Sequence, residues 1–253
     1  MPAYQSVVFL DLDGTLMVNP FESAVWPVVT GEIAEKSGES FDAVLNLIIA
    51  ENDARQNDPA VPAVLSMDWD DIAQTVAGRL GVRLESSCEV LVREYAATHS
   101  SVLDNAQEVL QELNASHRAL VVATKGLAKY QQPVLDALGL TPLFTAILTP
   151  DNHHALKKDA AFFGTWPSET RLQIMVGDRY DDDVQGPAAH GFKTVWKRVD
   201  LSPVFRKKDP FARALMVDYT PEQATPADAI IYSLAELPAL VRRLEQAVLG
   251  FSD

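Results

Sequence analysis

The sequence predicts an α/β protein in which a doubly wound parallel sheet carries an inserted α-helical unit. Two observations predict it. Strand-like apolar runs near Val7, Ala119, Thr145, Leu172, Lys193 and Ala229 alternate with helical stretches, as in a parallel sheet covered on both faces. Between the first and second of these runs, from about Met17 to His99, strand-like runs disappear and amphipathic helices take their place. The expected division is residues 1–16 and 100–253 for the core and 17–99 for the helical insertion. With 253 residues and 47% hydrophobic content, the chain has material for a full core and a smaller appended unit.

The first run, Val7-Val8-Phe9-Leu10, ends in Asp11-Leu12-Asp13-Gly14-Thr15. Ligands of open α/β sheets bind beyond the carboxyl ends of the strands, so two carboxylates one residue apart at that end point to a cation. The plainer reading is a turn dipeptide, Asp13-Gly14, beside a solvated acid. An EF-hand loop fits poorly, since it needs a third acid before its glycine and a helix ahead of it. This segment alone leaves both remaining readings open.

In the insertion, helices are expected over Glu22 to Lys36, Phe41 to Asp53, Asp68 to Leu80 and Ser87 to Ala97, with Asn57-Asp58-Pro59-Ala60-Val61-Pro62 as a break. Asn52, Arg55 and Trp69 flank that break, and Arg55 is the candidate to grip a substrate carboxylate or second phosphate. Trp26 and Trp69 sit at apolar helical spacings and read as packing. Cys88, the only cysteine, excludes an internal disulfide, suits a reducing cytoplasm and reads as inert packing.

The second run ends in Thr124-Lys125-Gly126, a hydroxyl and backbone amides suited to a phosphate oxygen. Leu156-Lys157-Lys158-Asp159 is expected to open a helix and bring an ammonium and a helix amino terminus to the same anion. Ile174-Met175-Val176-Gly177-Asp178 repeats the strand-then-acid design and leads into Arg179-Tyr180-Asp181-Asp182-Asp183. His153 and His154 read as a loop pair. The stretch from Val199 to Thr225 is expected to cover a sheet edge or to form a homodimer contact.

In order, Asp11-Leu12-Asp13-Gly14-Thr15, Thr124, Lys157 and Gly177-Asp178 with Asp183 resemble the four motifs of the haloacid dehalogenase superfamily. The likeness spans most of the chain and points to the helical-capped, phosphoglycolate phosphatase-like branch, with a Rossmann-like core. The run from Asp183 to Gly191 is similar to the helix after motif four there, which favours Asp183 over Asp182. Lys125 departs from the Asn common in relatives and Lys158 from the Pro. Register favours Lys157 as the phosphate partner, with Lys158 the alternative.

The resemblance implies phosphoryl chemistry. Asp11 would be the nucleophile, Asp13 the general acid and base, and Thr124 and Lys157 the stabilisers of charge. Thr124, Lys125 and Gly126 would hold the phosphate. Carboxylates a few Å from a phosphate dianion repel it by roughly 4 kcal/mol per charge pair at an effective dielectric near 20. A divalent cation is therefore required, and Mg2+ suits Asp11, Asp178 and the Asp13 carbonyl, with Asp183 behind them orienting water or a lysine. The helical insertion would be the cap that excludes water and chooses the leaving group.

Composition narrows the partners. A net charge of -14, from 21 Lys+Arg against 35 Asp+Glu, gives no footprint for nucleic acid or an anionic membrane. No apolar run approaches the ~20 residues of a membrane span, and no targeting segment precedes the first strand, so a cytoplasmic protein is expected. The expected activity is Mg-dependent hydrolysis of a small phosphorylated metabolite such as phosphoglycolate, a sugar phosphate or a nucleoside monophosphate. A phosphomutase would use the same residues, and a regulatory binding protein that lost activity is the reading outside catalysis.

Overall fold

The five residues of β1 (Ser6–Leu10) are all buried, because the strand has neighbours on both edges and cover on both faces. In the computed structural model, which describes residues 4–250, the further strands are β2 (Met17–Val18), β3 (Ser101–Val102), β4 (Arg118–Ala123), β5 (Ala146–Leu148), β6 (Leu172–Gly177), β7 (Lys193–Lys197) and β8 (Ala229–Ile231). Six of them form one parallel sheet in the order β5-β4-β1-β6-β7-β8. The chain builds outward from β1 on one side, then returns to build outward on the other. The order therefore reverses between β1 and β6, the topological switch point where ligands of such sheets bind. Asp11 and Asp178 follow those two strands directly.

Side chains alternate between two cores, as the twofold strand period requires. Val8 and Leu10 join the larger cluster, whereas Val7 and Phe9 pack with Ala119, Val121, Met175, Phe162 and Phe163 on the opposite face. Both faces being covered explains why these strands read as unbroken apolar runs rather than alternating ones.

β2 and β3 pair antiparallel as a separate two-stranded ribbon, Met17 opposite Val102. That ribbon had no signal in a sequence read for longer runs, and it clamps the outgoing and returning ends of the helical insertion side by side. Between them lie α1 (Trp26–Ser37), α2 (Phe41–Asn57), α3 (Ala63–Ser66), α4 (Trp69–Arg79) and α5 (Cys88–His99). The expected first helix opens instead with a wide turn over Phe21–Val25, and the regular α1 begins only with Pro27 in its first turn. Ser40, Asp68 and Ser87 cap the starts of α2, α4 and α5 by accepting from backbone N–H groups. The cap and core helices share one apolar cluster, in which Val29, Ile33, Val44, Ile48, Ile72 and Val92 are fully buried.

One core expectation changes, and another, that a sheet edge is covered, holds. No regular helix starts at Leu156; the chain makes a turn there and then a single 3-10 turn over Ala160–Phe163. Phe162 and Phe163 drop into the sheet there, and Gly164, at φ +56°, ends the turn at once. The stretch after Val199 folds over the β7–β8 edge, with Leu201, Ala214 and Val217 packing against Trp196 and Ile230. Arg213, fully buried, donates to the carbonyls of Phe205 at 2.9 Å and Ile230 at 3.1 Å. Among the described residues no helix is long and apolar enough to cross a membrane.

Candidate functional site

Four segments converge at the carboxyl ends of β1, β4 and β6, and the first is the Asp11–Thr15 turn. Gly14 holds φ +77°, and a Cβ there would collide with the Asp178 carboxylate, so the turn can pass close under β6 only because this residue is glycine. Gly177 does the same at the end of β6, where a Cβ would fall on the Asp183 carboxylate.

The result is a knot of carboxylates. Asp11, Asp178 and Asp183 each place an oxygen within 4.8 Å of the others. Lys157 lies among them almost fully buried, its ammonium paired with Asp11 Oδ1 and, at 2.8 Å, with Asp183 Oδ1. Asp183 Oδ2 accepts from the Arg179 N–H at 2.9 Å, so both oxygens of this acid have protein donors. Thr15 Oγ1 stands 3.4 Å from both Asp11 and Asp178.

The alternatives left open by the sequence separate cleanly. Asp182 lies outside the three-acid cluster, on the cavity wall, and accepts from Lys125 at 2.9 Å, and Asp181 is exposed. Lys158 is exposed as well, and donates to the Gln56 carbonyl on α2 at 3.2 Å.

One lysine against three acids leaves excess negative charge in a buried place. Burial pushes Asp11 up to about 6 and Asp183 up to about 7, with Lys157 opposing both. Burial pulls Lys157 down, but Asp11 and Asp183 outweigh it and hold the ammonium above its ordinary range. Such a set of hard, closely spaced oxygens fits a divalent cation of the magnesium type. Asp11 and Asp178 would hold it directly, with Asp183 behind them fixed by Lys157 and the Arg179 N–H.

Asp13 is kept apart from the knot. Its Oδ1 accepts from Asn19 Nδ2 at 2.7 Å and its Oδ2 from Gln131 Nε2 at 2.8 Å. Burial raises its pKa, while those two donors pull the other way. Neither amide stood out in the sequence. Asn19 is a lone residue in a loop, and Gln131 looks like any polar position of an amphipathic helix, Ala128–Ala137. The one available hint is Gly126, where a Cβ would strike the Gln131 amide.

The phosphate-holding residues are placed as follows. Thr124 is buried, lines the cavity and accepts from the Gly126 N–H at 3.1 Å through Oγ1. That amide is therefore engaged within the loop, and the expectation that Gly126 offers its N–H to a ligand does not hold in this conformation. Lys125 lines the cavity too, beside its Asp182 partner.

Arg55 requires a correction. Its guanidinium donates to Glu51 at 2.7 Å, Asp71 at 2.6 Å, Thr75 at 2.9 Å and the Leu65 carbonyl at 3.0 Å, all within the helical insertion. It is absent from the lining of the cavity. A helix-borne arginine near a loop suits a ligand grip, but the acids that satisfy this one lie one turn away and on α4. Cys88 is buried, and burial pushes its thiol well above the usual range, as inert packing requires.

These groups open on one cavity of about 760 Å³ between core and insertion, lined by Asp11, Asp13, Thr124 and Lys157 from the core and by Asn52, Gln56 and Trp69 from the insertion. Comparison with known proteins agrees with this architecture. The pyrimidine 5'-nucleotidase PynA of Streptococcus pneumoniae (strain ATCC BAA-255 / R6) is 24% identical over 203 residues, covering 76% of this chain and 83% of that protein. A HAD phosphatase from Thermococcus onnurineus superposes with a TM-score of 0.69 at 23% identity, over 93% of this chain and 97% of that one. The putative HAD-hydrolase YfnB from Bacillus subtilis, bound to magnesium, gives 0.59 at 16%, over 94% and 98%. At such identities the structural likeness speaks for the fold alone. The family model described as haloacid dehalogenase-like hydrolase matches residues 5–191, most of the chain and every segment of the site, and the protein belongs to that family.

Proposed function

We propose that the protein is a magnesium-dependent phosphatase that hydrolyses a small phosphate monoester through an aspartyl-phosphate intermediate on Asp11. The observation that carries this is the pairing of two differently held acids one residue apart. Asp11 sits in the carboxylate knot against Lys157, while Asp13 is turned from it with both oxygens on amides.

When bound, the cation would offset the charge of the phosphate dianion and of the acids around it. The chain's own residues do the rest. An Asp11 oxygen attacks phosphorus and the bond from phosphorus to the ester oxygen breaks, with Asp13 giving its proton to the departing oxygen. A water molecule then attacks the phosphorus of the acyl phosphate. Asp13 takes the water's proton, the bond from Asp11 to phosphorus breaks, and inorganic phosphate leaves.

Lys157 and the Thr124 hydroxyl stabilise charge on the transferred group, largely by being in place beforehand. Asp13 gives the reading its direction. A departing alkoxide needs a proton and a halide does not, so a held acid at this position supports phosphoryl transfer over dehalogenation. The name of the pneumococcal relative, a nucleotidase, lends the same support.

The test is phosphate release from para-nitrophenyl phosphate with magnesium and with EDTA. Turnover that needs the cation supports the reading. A purified, folded protein inert toward that ester and toward a panel of phosphorylated metabolites overturns it.

A further inference from the structure

The cavity has two unlike walls beyond the acids. One is aromatic: Phe21, Trp26, Trp69 and Tyr130 line it, with ring centroids 5.2 Å apart for Phe21–Trp26 and Trp26–Trp69 and 5.5 Å for Phe21–Tyr130. The other is one face of α2. Ile49, Asn52, Asp53 and Gln56 are spaced i, i+3, i+4, i+7 and all line the cavity.

The two tryptophans do pack on each other, as their helical spacing predicts. Yet both are only half-buried. Trp196, by contrast, donates its indole N–H to the Asp178 carbonyl at 2.9 Å, whereas the indole N–H groups of Trp26 and Trp69 have no protein acceptor among the described residues. Across the cavity, Gln56 donates to Asn52 Oδ1 at 2.6 Å and Asn52 to the Ser66 carbonyl at 2.7 Å, which fixes an amide pair with hydrogen-bonding capacity left on Gln56.

An alkyl or lipid leaving group would have no use for the amides. A carboxylated or doubly phosphorylated one would meet Asp53 on that wall, while the cations lining the cavity are already engaged, Lys125 and Arg179 with Asp182 and Lys158 with the Gln56 carbonyl, and Arg55 is tied to Glu51 and Asp71. A flat ring system whose edge carries both N–H and C=O groups matches both walls, by stacking and by hydrogen bonding.

We infer that the leaving-group end of the cavity takes a nucleobase, so that the substrate is a nucleoside 5'-monophosphate. This rests on the phosphatase reading above and adds to it the identity of the leaving group. Trp69 supplies the stacking face, Trp26, whose ring stands at 86° to it, closes the side of the slot, and Gln56, oriented by Asn52, reads the edge of the base.

The experiment compares kcat/KM for uridine and adenosine 5'-monophosphates with that for ribose 5-phosphate, which has the same ester and sugar but no base. At least one nucleotide should exceed ribose 5-phosphate by tenfold or more, as stacking of a base on an aromatic side chain is worth roughly tenfold to a hundredfold in affinity. That ratio should collapse in Trp69→Ala and be largely kept in Trp69→Phe. Should Trp69→Ala fail to fold, quenching of wild-type tryptophan fluorescence by free uridine or adenosine gives the same answer without turnover.

Equal kcat/KM for the three esters overturns the inference and leaves the phosphatase reading standing. So does a nucleotide preference that survives Trp69→Ala unchanged. Absence of phosphate release from any ester, para-nitrophenyl phosphate included, counts against the phosphatase reading itself.

Discussion

Two buried ion clusters lie at opposite ends of the same sheet, and they differ in charge balance. At the amino end, Arg118 of β4 meets Glu245 through two donors, at 2.8 and 2.5 Å, and Ser6 of β1 adds a third at 2.6 Å. Burial raises the Glu245 carboxyl, but Arg118 and Ser6 outweigh it and hold the group below its usual range. At the carboxyl end, Lys157 faces Asp11 and Asp183 with Asp178 beside them, and the same burial leaves both acids raised. The balanced cluster is complete as it stands and holds β1, β4 and the helix Leu237–Leu249 together. The unbalanced one is short of positive charge, the deficit that a divalent cation would make up.

The largest expected effect follows from that deficit. Asp11→Asn removes the proposed nucleophile and one charge from the crowded knot, so phosphate release from an aryl ester should fall below detection while the thermal midpoint in EDTA stays or rises. Turnover at the wild-type rate in that variant would dissolve the difference between the two ends. Glu245→Ala should do the reverse. It strands Arg118 in the interior at a cost of about 3–5 kcal/mol, read by urea denaturation, and leaves kcat per folded molecule alone.

Gln131→Leu sharpens the comparison inside the site. Without its amide, Asp13 loses one of the two donors that aim it, and the proton delivery proposed for it should suffer. Because a general acid contributes on the order of 10²–10⁴, a misaimed one should slow hydrolysis of an alkyl phosphate by roughly tenfold or more. Para-nitrophenyl phosphate, whose leaving group departs without a proton, should slow far less. Equal losses on both esters would mean that Gln131 merely packs.

The site was legible wherever a reactive side chain ends a buried strand. Asp11, Thr124 and Asp178 each follow a run of apolar residues, and sequence order alone puts strand ends on one edge of a parallel sheet. Lys157 and Asp183 were legible only through the resemblance to the superfamily's third and fourth motifs. Gln131, Asn19 and the β2–β3 ribbon were not, because an amide on a helix face, a loop asparagine and two-residue strands carry no period or punctuation. Trp26 and Trp69 show a second limit. Helical spacing tells that a residue faces inward, and it does not distinguish a core from a cavity wall.

The pH dependence of stability separates the two ends again. Asp11 and Asp183 have folded values of about 6 and 7 against an ordinary 3.8, so between roughly pH 4 and 7 the folded chain holds protons the unfolded chain has released. Stability supplied by those protons is present at the acid side of the window and is lost as pH rises through it. Glu245 has the opposite sign, contributing above its ordinary 4.5 and failing only below it. In EDTA the thermal midpoint should therefore decline from pH 5 to pH 7.5, and Asp183→Asn should flatten the decline. Magnesium, which replaces those protons, should restore the midpoint at pH 7.5. A midpoint in EDTA that climbs steadily across this range would mean that the knot is not short of positive charge.

The smallest effect concerns Arg55, whose four hydrogen bonds all stay within the insertion. Its guanidinium ties α2 to α4 and to the end of α3, where Leu65 supplies a carbonyl. Arg55→Ala leaves Glu51 with its second partner, Arg79 at 2.6 Å, so no buried acid is stranded. The cost should be about 1–2 kcal/mol, typical of losing several partly exposed hydrogen bonds. If Arg55 only braces the helices, KM for an anionic metabolite and for an aryl phosphate should both stay within about twofold of wild type, since one charge this far from the reacting groups is screened by solvent. A selective rise in KM for the anionic metabolite would return Arg55 to the cavity and require α2 to turn from the position seen here.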